Sequence, residues 1–508
     1  MPAYQNPGIY VTESPLTSNV TAADNATSVA AFIGPAPRGP VEATLINSWA
    51  GYKALYGDIS TSFEMGYSVY HYFANGGRDA YIVRALSGSA STSGASVSYF
   101  PTGGSTSGTL FTARAVSPGI WGNTLSLVVS NGIVAGSTTQ IPTFNLTVNI
   151  SGVEVERWNE VSTDPTSNRY LDVVINNYSK YIDVTTTTNA KSPTTGWTFN
   201  NNTFTLSSGT DGGAVDTAAY TTAINRLDLV ENALVINAPG VGGQSSAIVT
   251  ALLNKAKDRG NSFVVIDPTP DSVAATINTI ASSYTAATTS SYGAVYYPML
   301  KMADPTKSGV GAVRDTYPGG AVVGAYIRSE VNRTVAKAPA GYGLTISNAF
   351  GLSTTFTPSE TATMYDSFGV NTFKSIPGGG VIINGTRTLD KTTPGKYIPI
   401  RRSLNYVKQT LKDVSAFAVF EPNDENLWNR LTLKCAAILS EFWREGGLKG
   451  ANTQQAFYVI CNATNNTAES VAQGIVNVEV GVALQYPAEY IVINVSQWTG
   501  GSNAVSSL

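Results

Sequence analysis

Three short, wholly apolar runs set about thirty residues apart constrain this chain more than any other feature. They are Ala233-Leu234-Val235-Ile236, Phe263-Val264-Val265-Ile266 and Ala294-Val295-Tyr296-Tyr297. A strand without polar alternation has to be covered on both faces. Between the first two runs, Ile248, Val249, Leu252, Leu253 and Ala256 fall on one helical face. Val273, Ile277 and Ile280 repeat the pattern before the third. Right-handed strand–helix–strand crossovers then give a parallel sheet with helices on its faces.

The rest of the chain keeps other periods. Its 508 residues exceed one ordinary core. Residues 28–41 read as a buried strand ending in a Pro/Gly loop, and Phe63 to Phe73 as a helix stopped by Asn75-Gly76-Gly77. Ala80 to Arg84 is another strand. Residues 87–109, rich in Ser, Thr and Gly, read as a linker or exposed loop. Residues 110–205 read as β. Phe144, Leu146, Val148 and Ile150 alternate with polar residues, Ser151-Gly152 turns the chain, and Val153 to Trp158 returns. The Gly-rich segments 339–351 and 378–385 are expected as loops beyond the sheet. Pro422-Asn423-Asp424 caps a helix with an apolar stripe of Leu427, Trp428, Leu431, Cys435, Ile438, Leu439 and Phe442, stopped by Gly446-Gly447. Arg430, Lys434, Glu441 and Arg444 lie off that stripe.

Composition removes much chemistry. With 13% charged residues, a net charge of −3 and no basic stripe, electrostatic nucleic-acid binding is not expected. No run of about 18 apolar residues is present to span a membrane. Met1 to Tyr10 shows no secretory signal. One histidine, His71, and two cysteines, Cys435 and Cys461, argue against zinc or a disulfide framework and leave no cofactor to expect. A Ser-His-Asp triad needs an imidazole base, and His71 lies outside the α/β block, so it reads as packed or solvated. Asp267 reads as a strand-end turn residue. The loop Pro239 to Gly243 could cradle a phosphate, yet it is neither a dinucleotide fingerprint nor a Lys-bearing P-loop and reads as a tight turn. Glu154 and Glu156 share a strand face as glycosidase carboxylates do, or simply line a solvated hairpin.

What remains is architectural. Ile9, Tyr10, Val11 and Thr12 near one end, and Tyr490, Ile491, Val492, Ile493, Asn494 and Val495 near the other, have strand character outside any recognisable core. An unpaired strand is a template for another chain, and an arm at each end gives head-to-tail contacts that build rings or helical filaments. The pattern is equally compatible with both strands folding back into their own subunit.

Motifs along most of the chain carry a resemblance. They include PGIYVTE (7–13), FIGPAPRGPV (32–41), GGRDAYIVRAL (76–86), SPGIWGN (117–123) and LSSGTDGG (206–213). Further on stand YYPML (296–300), VAKAPAG (335–341), NGTRTL (384–389), YIPIRRSLNYV (397–407), VFEPNDENLW (419–428), GGLKGANTQQAFYVIC (446–461) and VGVALQYPAEYIVINV (480–495). In this order the chain resembles the tail sheath proteins of contractile bacteriophages and related contractile injection systems.

The resemblance implies an α/β plus β multidomain fold. An inner α+β domain would be built from the N- and C-terminal segments, with a β domain and a subtilisin-like α/β domain inserted and extended arms at both ends. Subtilisin-like describes fold alone. The division is then an arm (1–20), the inner domain's first part (21–86), the linker (87–109), the β insertion (110–205), the α/β domain (206–390), the inner domain's second part (391–485) and a second arm (486–508). It implies a non-enzymatic structural subunit of the virion tail, assembled in the bacterial cytoplasm. Copies polymerise as stacked, hexameric rings around a tail tube protein, bounded by baseplate and tail terminator proteins. Contraction drives the tube through the host envelope for genome delivery, with no direct membrane insertion. The arm strands Ile9–Thr12 and Tyr490–Val495 would extend neighbours' sheets, and Arg430, Lys434, Glu441 and Arg444 are expected either to include the tube contact or to form a solvated or intersubunit helix face. Rival expectations are the sheath of a phage-derived injection particle or secretion system, an α/β hydrolase, and a carbohydrate-binding surface protein.

Overall fold

A computed structural model describes residues 28–489, apart from 102–107, 133–142, 188–196, 199–201, 244, 271–272, 285–288, 310 and 393. In chain order the first elements are β1 (Val29–Gly34), β2 (Thr44–Ile46), α1 (Trp49–Tyr56), α2 (Glu64–Ala74) and β3 (Ala80–Arg84). Next come β4 (Gly94–Pro101), β5 (Gly108–Ala115), β6 (Leu125–Asn131), β7 (Phe144–Ile150), β8 (Val153–Val161), α3 (Leu171–Tyr178), β9 (Ile182–Thr186), β10 (Trp197–Thr198) and β11 (Asn202–Thr205). The middle holds α4 (Thr217–Asn225), β12 (Leu234–Asn237), α5 (Ser246–Arg259), β13 (Phe263–Ile266), α6 (Ala274–Ser283), β14 (Gly293–Tyr296), β15 (Leu300–Ala303), β16 (Val313–Thr316) and α7 (Gly319–Asn332). It continues through β17 (Thr345–Ile346), β18 (Ala349–Leu352), α8 (Pro358–Phe368), β19 (Val370–Ile376) and β20 (Gly380–Asn384). The last elements are α9 (Ile398–Ser415), α10 (Glu425–Arg444), α11 (Thr453–Ala456), β21 (Phe457–Ile460), α12 (Ala468–Ala472) and β22 (Glu479–Val482).

The three apolar runs become β12, β13 and β14, parallel neighbours in a nine-stranded sheet of order β17-β20-β19-β14-β13-β12-β1-β3-β2. Alternate side chains serve two cores. Phe32, Val235, Val265 and Tyr296 face α1, α2 and α7, while Ile33, Ile236, Val264 and Val295 face α4, α5 and α6. Double coverage is why these strands carry no polar alternation. The Gly-rich segments 339–351 and 378–385, expected as loops, contribute β17, β18 and β20. Val381 and Ile383 supply the buried face that makes β20 a strand.

Helix α7 crosses α2 at unusually short range. A Cβ on Gly320 would stand 2.1 Å from the Ser68 carbonyl oxygen, and one on Gly324 2.6 Å from that of Tyr72. A helical glycine costs about 1 kcal/mol relative to alanine, so the burial made possible by this approach has to offset it. Residues Gly319 to Ile327 are all buried.

Two expected boundaries move. The sequence places 21–86 with 391–485, but β1 lies between β12 and β3 in the α/β sheet, with Ala30 opposite both Val235 and Ala80. The partner of β1 stands about two hundred residues away, and no local pattern encodes such a pairing. The expected linker 87–109 contains β4, paired with β5, and Val97 is fully buried. Ser96 and Ser98, at alternate positions of β4, suit a strand with one solvated face as well as they suit a loop.

The insertion is two four-stranded sheets, β10-β4-β5-β9 and β11-β6-β7-β8, closed over Val97, Phe111, Leu127, Phe144, Val148 and Ile175. The predicted hairpin is β7–β8. Ser151 and Gly152 take φ of +50° and +84°, the sign a tight two-residue turn demands. Bridges Ser91–Thr210 and Gly94–Ser207 tie the entry and exit strands together. At the other end of the chain, α9 starts inside the α/β core at Ile398. It then packs Tyr406 and Val407 against Cys435, Leu439 and Phe442 of α10.

Candidate functional site

The C-terminal unit carries the candidate assembly surface. Asp424 caps α10 by accepting the Leu427 N–H at 2.9 Å, and the Gly447 N–H returns to the Phe442 carbonyl beyond its end. The predicted stripe is buried, apart from half-buried Ile438. This leaves Arg430, Leu433, Lys434, Ala437, Glu441 and Arg444 exposed on the other face. All four charged residues singled out in the sequence therefore share one solvent face. Arg430 pairs with Glu421 at 3.1 Å. The Arg430 guanidinium and the Lys434 ammonium lie 4.8 and 3.9 Å from the ring centre of Phe417. A groove of about 390 Å³ runs beside them, lined by Asp413, Val414, Phe417, Lys434, Ala437 and Ile438. Exposed pairs of this kind contribute about 0–1 kcal/mol each, which suits a contact that forms and breaks.

Beside α10 lies a sheet of two strands. β21 and β22 pair antiparallel from Phe457–Val482 to Ile460–Glu479, and among the described residues neither has a second neighbour. Phe457, Tyr458 and Val459 pack on the α10 core, yet all four residues of β21 remain only half buried. Two strands alone are marginal, and an edge strand is a template for further pairing. The expected arm strands Ile9–Thr12 and Tyr490–Val495 lie outside the described residues.

Sequence reasoning passed over two buried ion pairs, Arg402 with Glu330 and Arg387 with Glu489. The signal available was two arginines, Arg401 and Arg402, in the otherwise apolar start of α9, and Arg387 in a motif quoted only for resemblance. Burial pushes the Glu489 carboxyl up, but hydrogen bonds from Arg387 and Tyr365 and the nearby positive charge outweigh it. The group sits below the usual carboxylate range.

The enzyme-like candidates resolve into packing. His71 is fully buried in α2, and among the described residues neither ring nitrogen has a hydrogen-bond partner. Burial, with the charge of Arg314, lowers its pKa to about 4, and Asp304 opposes this weakly. Asp267 is more than a turn residue. Its buried carboxylate accepts the Gly319 N–H at 2.7 Å and Asn237 Nδ2 at 2.9 Å, pinning the start of α7 to the sheet. Burial raises its pKa to about 7. The Pro239–Gly243 loop is filled, since a Cβ on Gly243 would stand 2.6 Å from Thr269, and Tyr284 donates to the Gly242 carbonyl. A bulge in β8 separates the two glutamates. Glu154 pairs with Arg157 in solvent, while Glu156 accepts from Ser179 Oγ at 2.7 Å and the Lys180 N–H at 2.8 Å. Cys435 and Cys461 are buried free thiols.

The described residues thus form a sheet-bearing body with a helix pair and a two-stranded sheet, an architecture that by itself fits several kinds of protein. Two family models identify which kind. The phage tail sheath protein central domain matches residues 213–389 and the phage tail sheath C-terminal domain residues 390–497. Together they cover more than half of the chain, which belongs to the phage tail sheath family and is a contractile tail sheath subunit. No curated protein matches the sequence. Solved structures share the fold. The anti-feeding prophage helical sheath in its contracted state is 18% identical over 97% of this chain and 100% of that one, with a TM-score of 0.56. The contracted sheath complex of PVC, an extracellular contractile injection system, is 20% identical over 98% and 99%, with a TM-score of 0.55. A sheath tail protein of Listeria innocua is 14% identical over 87% and 90%, with a TM-score of 0.61.

Proposed function

We propose that copies of this subunit polymerise helically around a tail tube and hold one another by lending arm strands to the open β21–β22 sheet. The two-stranded sheet carries this reading, because its edges are the acceptor that donated strands require. Ile9–Thr12 and Tyr490–Val495 are the donors. Each cross-strand pair contributes about 0.2–1 kcal/mol, so one arm is a modest tether, and repetition along a lattice makes separation improbable. The extended sheath is a kinetically held state, and contraction releases it into better contacts without a nucleotide. Stacked hexameric rings, ends bounded by baseplate and terminator, assembly in the bacterial cytoplasm and delivery of a genome through the host envelope complete the proposal. The likeness to two injection-system sheaths over nearly their whole length favours a second reading, a phage-derived particle. DNA inside purified particles separates the two.

Removing residues 490–508 is expected to leave the melting of the purified subunit within a few degrees of the parent and to abolish hollow striated cylinders in negative stain. Normal cylinders from the shortened chain would refute the arm mechanism. The exposed α10 face is proposed as the tube contact. Arg430→Glu with Lys434→Glu is expected to reduce assembly on purified tubes at least tenfold, with subunit stability unchanged. Unaltered assembly would instead make this face solvated or intersubunit.

A further inference from the structure

The chain enters and leaves its described structure at two buried arginine–glutamate pairs. Ser28 stands just before β1, and its N–H donates to Glu330 Oε1 at 2.8 Å. Glu330, on α7, also binds Arg402 of α9, and their side chains are 5% and 3% exposed. Arg402 lies 4.8 Å from the Tyr326 ring centre and reaches Ser28 Oγ at 3.4 Å. At the other end, Glu489 is gripped by the Arg387 fork, with Nη2 at 2.9 Å and Nε at 3.3 Å. Tyr365 and Tyr397 donate to the same carboxylate, and Asp366 pairs with Arg387 at 2.7 Å. Arg387 is bridged to Tyr397, which caps α9, so both ends of the described chain converge on residues 386–402.

A buried ion pair adds little net stability compared with apolar packing, but separating Arg402 from Glu330 leaves uncompensated charge in a dry interior, while Arg387 parted from Glu489 keeps Asp366 and loses the fork geometry. Each pair is a fixed, directional contact. It therefore holds position better than it holds free energy. We propose that these pairs anchor the two arms, so that pull on either arm enters the subunit through the segment 386–402, with Arg387 and Arg402 as positioning residues. This rests on the arm mechanism proposed above. Its mechanical consequence falls on β22. Glu489 lies seven residues beyond this four-residue strand, so a pull on the C-terminal arm stops at the ion pair and does not peel β22 from β21. The strand pair that receives neighbours' arms is thereby insulated from the tension in its own.

The test uses the full chain with Glu489→Gln, which keeps the shape and removes the charge. A second variant, Ser28→Pro, removes the N–H donated to Glu330 together with the Oγ that Arg402 reaches, and leaves the Arg402–Glu330 pair itself in place. Both are expected to melt within a few degrees of the parent and to form cylinders. Their cylinders are expected to fall apart at lower guanidinium. In cylinders of Glu489→Gln, the β22 amides are expected to exchange with solvent at least tenfold faster. Should Glu489→Gln prevent folding, Arg387→Lys keeps the charge, gives up the fork and is expected to show the same shifts. Disassembly and exchange indistinguishable from the parent, while removal of 490–508 still abolishes cylinders, would overturn the anchors and leave the arm mechanism standing. Normal cylinders from the shortened chain would overturn both.

Discussion

Gly320→Ala is expected to destabilise the purified subunit by about 2–4 kcal/mol, lowering its melting temperature by about 2–6 °C. Helix propensity alone predicts the opposite, a gain of about 1 kcal/mol. Packing wins because the new methyl would stand 2.1 Å from the Ser68 carbonyl oxygen and 2.6 Å from Ser68 Cα, both main-chain atoms that cannot rotate away. Relieving the clash separates α7 from α2 and opens the core around Val69, Tyr72, Val322 and Val323. Gly343→Ala is the control, since nothing lies within 4 Å of its added carbon. A Gly320→Ala subunit that melts at or above the parent temperature would refute the close crossing.

The second large effect is a dependence on pH centred on His71. Its folded pKa of about 4 lies below the ordinary 6.5, because burial disfavours the charged ring and Arg314 repels it. The unfolded chain therefore binds more protons between these values. The neutral ring's contribution is complete above pH 6.5, declines as pH falls and is lost below 4, a change of about 3 kcal/mol. Asp267 works in the opposite sense. Its folded pKa is raised to about 7, so its contribution is complete below about 4 and lost as pH rises to 7. The parent thus shows two opposed slopes, and replacing the histidine exposes one of them. His71→Met is expected to match the parent within about 1.5 kcal/mol at pH 7 and to exceed it by about 3 kcal/mol at pH 4. Denaturant titrations across this range give the comparison, and parallel profiles for the two proteins would exclude the histidine as the source.

Much of this was legible beforehand because it is local. The hairpin at Ser151-Gly152, the strand–helix spacing from 233 to 297 and the stripe of α10 each follow from a repeat of two or 3.6 residues. The common solvent face of Arg430, Lys434, Glu441 and Arg444 follows from the same helical period. Failures occurred where one pattern serves two structures. Alternating Ser and small apolar residues in 94–101 fit a strand as well as a loop, and the burial of Val97 decided between them. Glu154 and Glu156 kept the two-residue spacing of a shared face until a bulge broke it.

The amino-acid order alone determined that an apolar parallel sheet exists and that a β unit interrupts the chain; it placed His71 outside the α/β block, whereas α2 carries that residue into the helix layer packed on the sheet. It also carried the motifs of the sheath family. Only the folded chain decided that β1 lies between β3 and β12, that three glycines of α7 are contact points, and that Arg387 and Arg402 close on Glu489 and Glu330. Periodicity is a property of neighbours along the chain, so sequence reports it directly. Pairings across about two hundred residues, and charges that meet only in a dry interior, depend on which surfaces the collapsed chain brings together, and no short-range pattern records that choice.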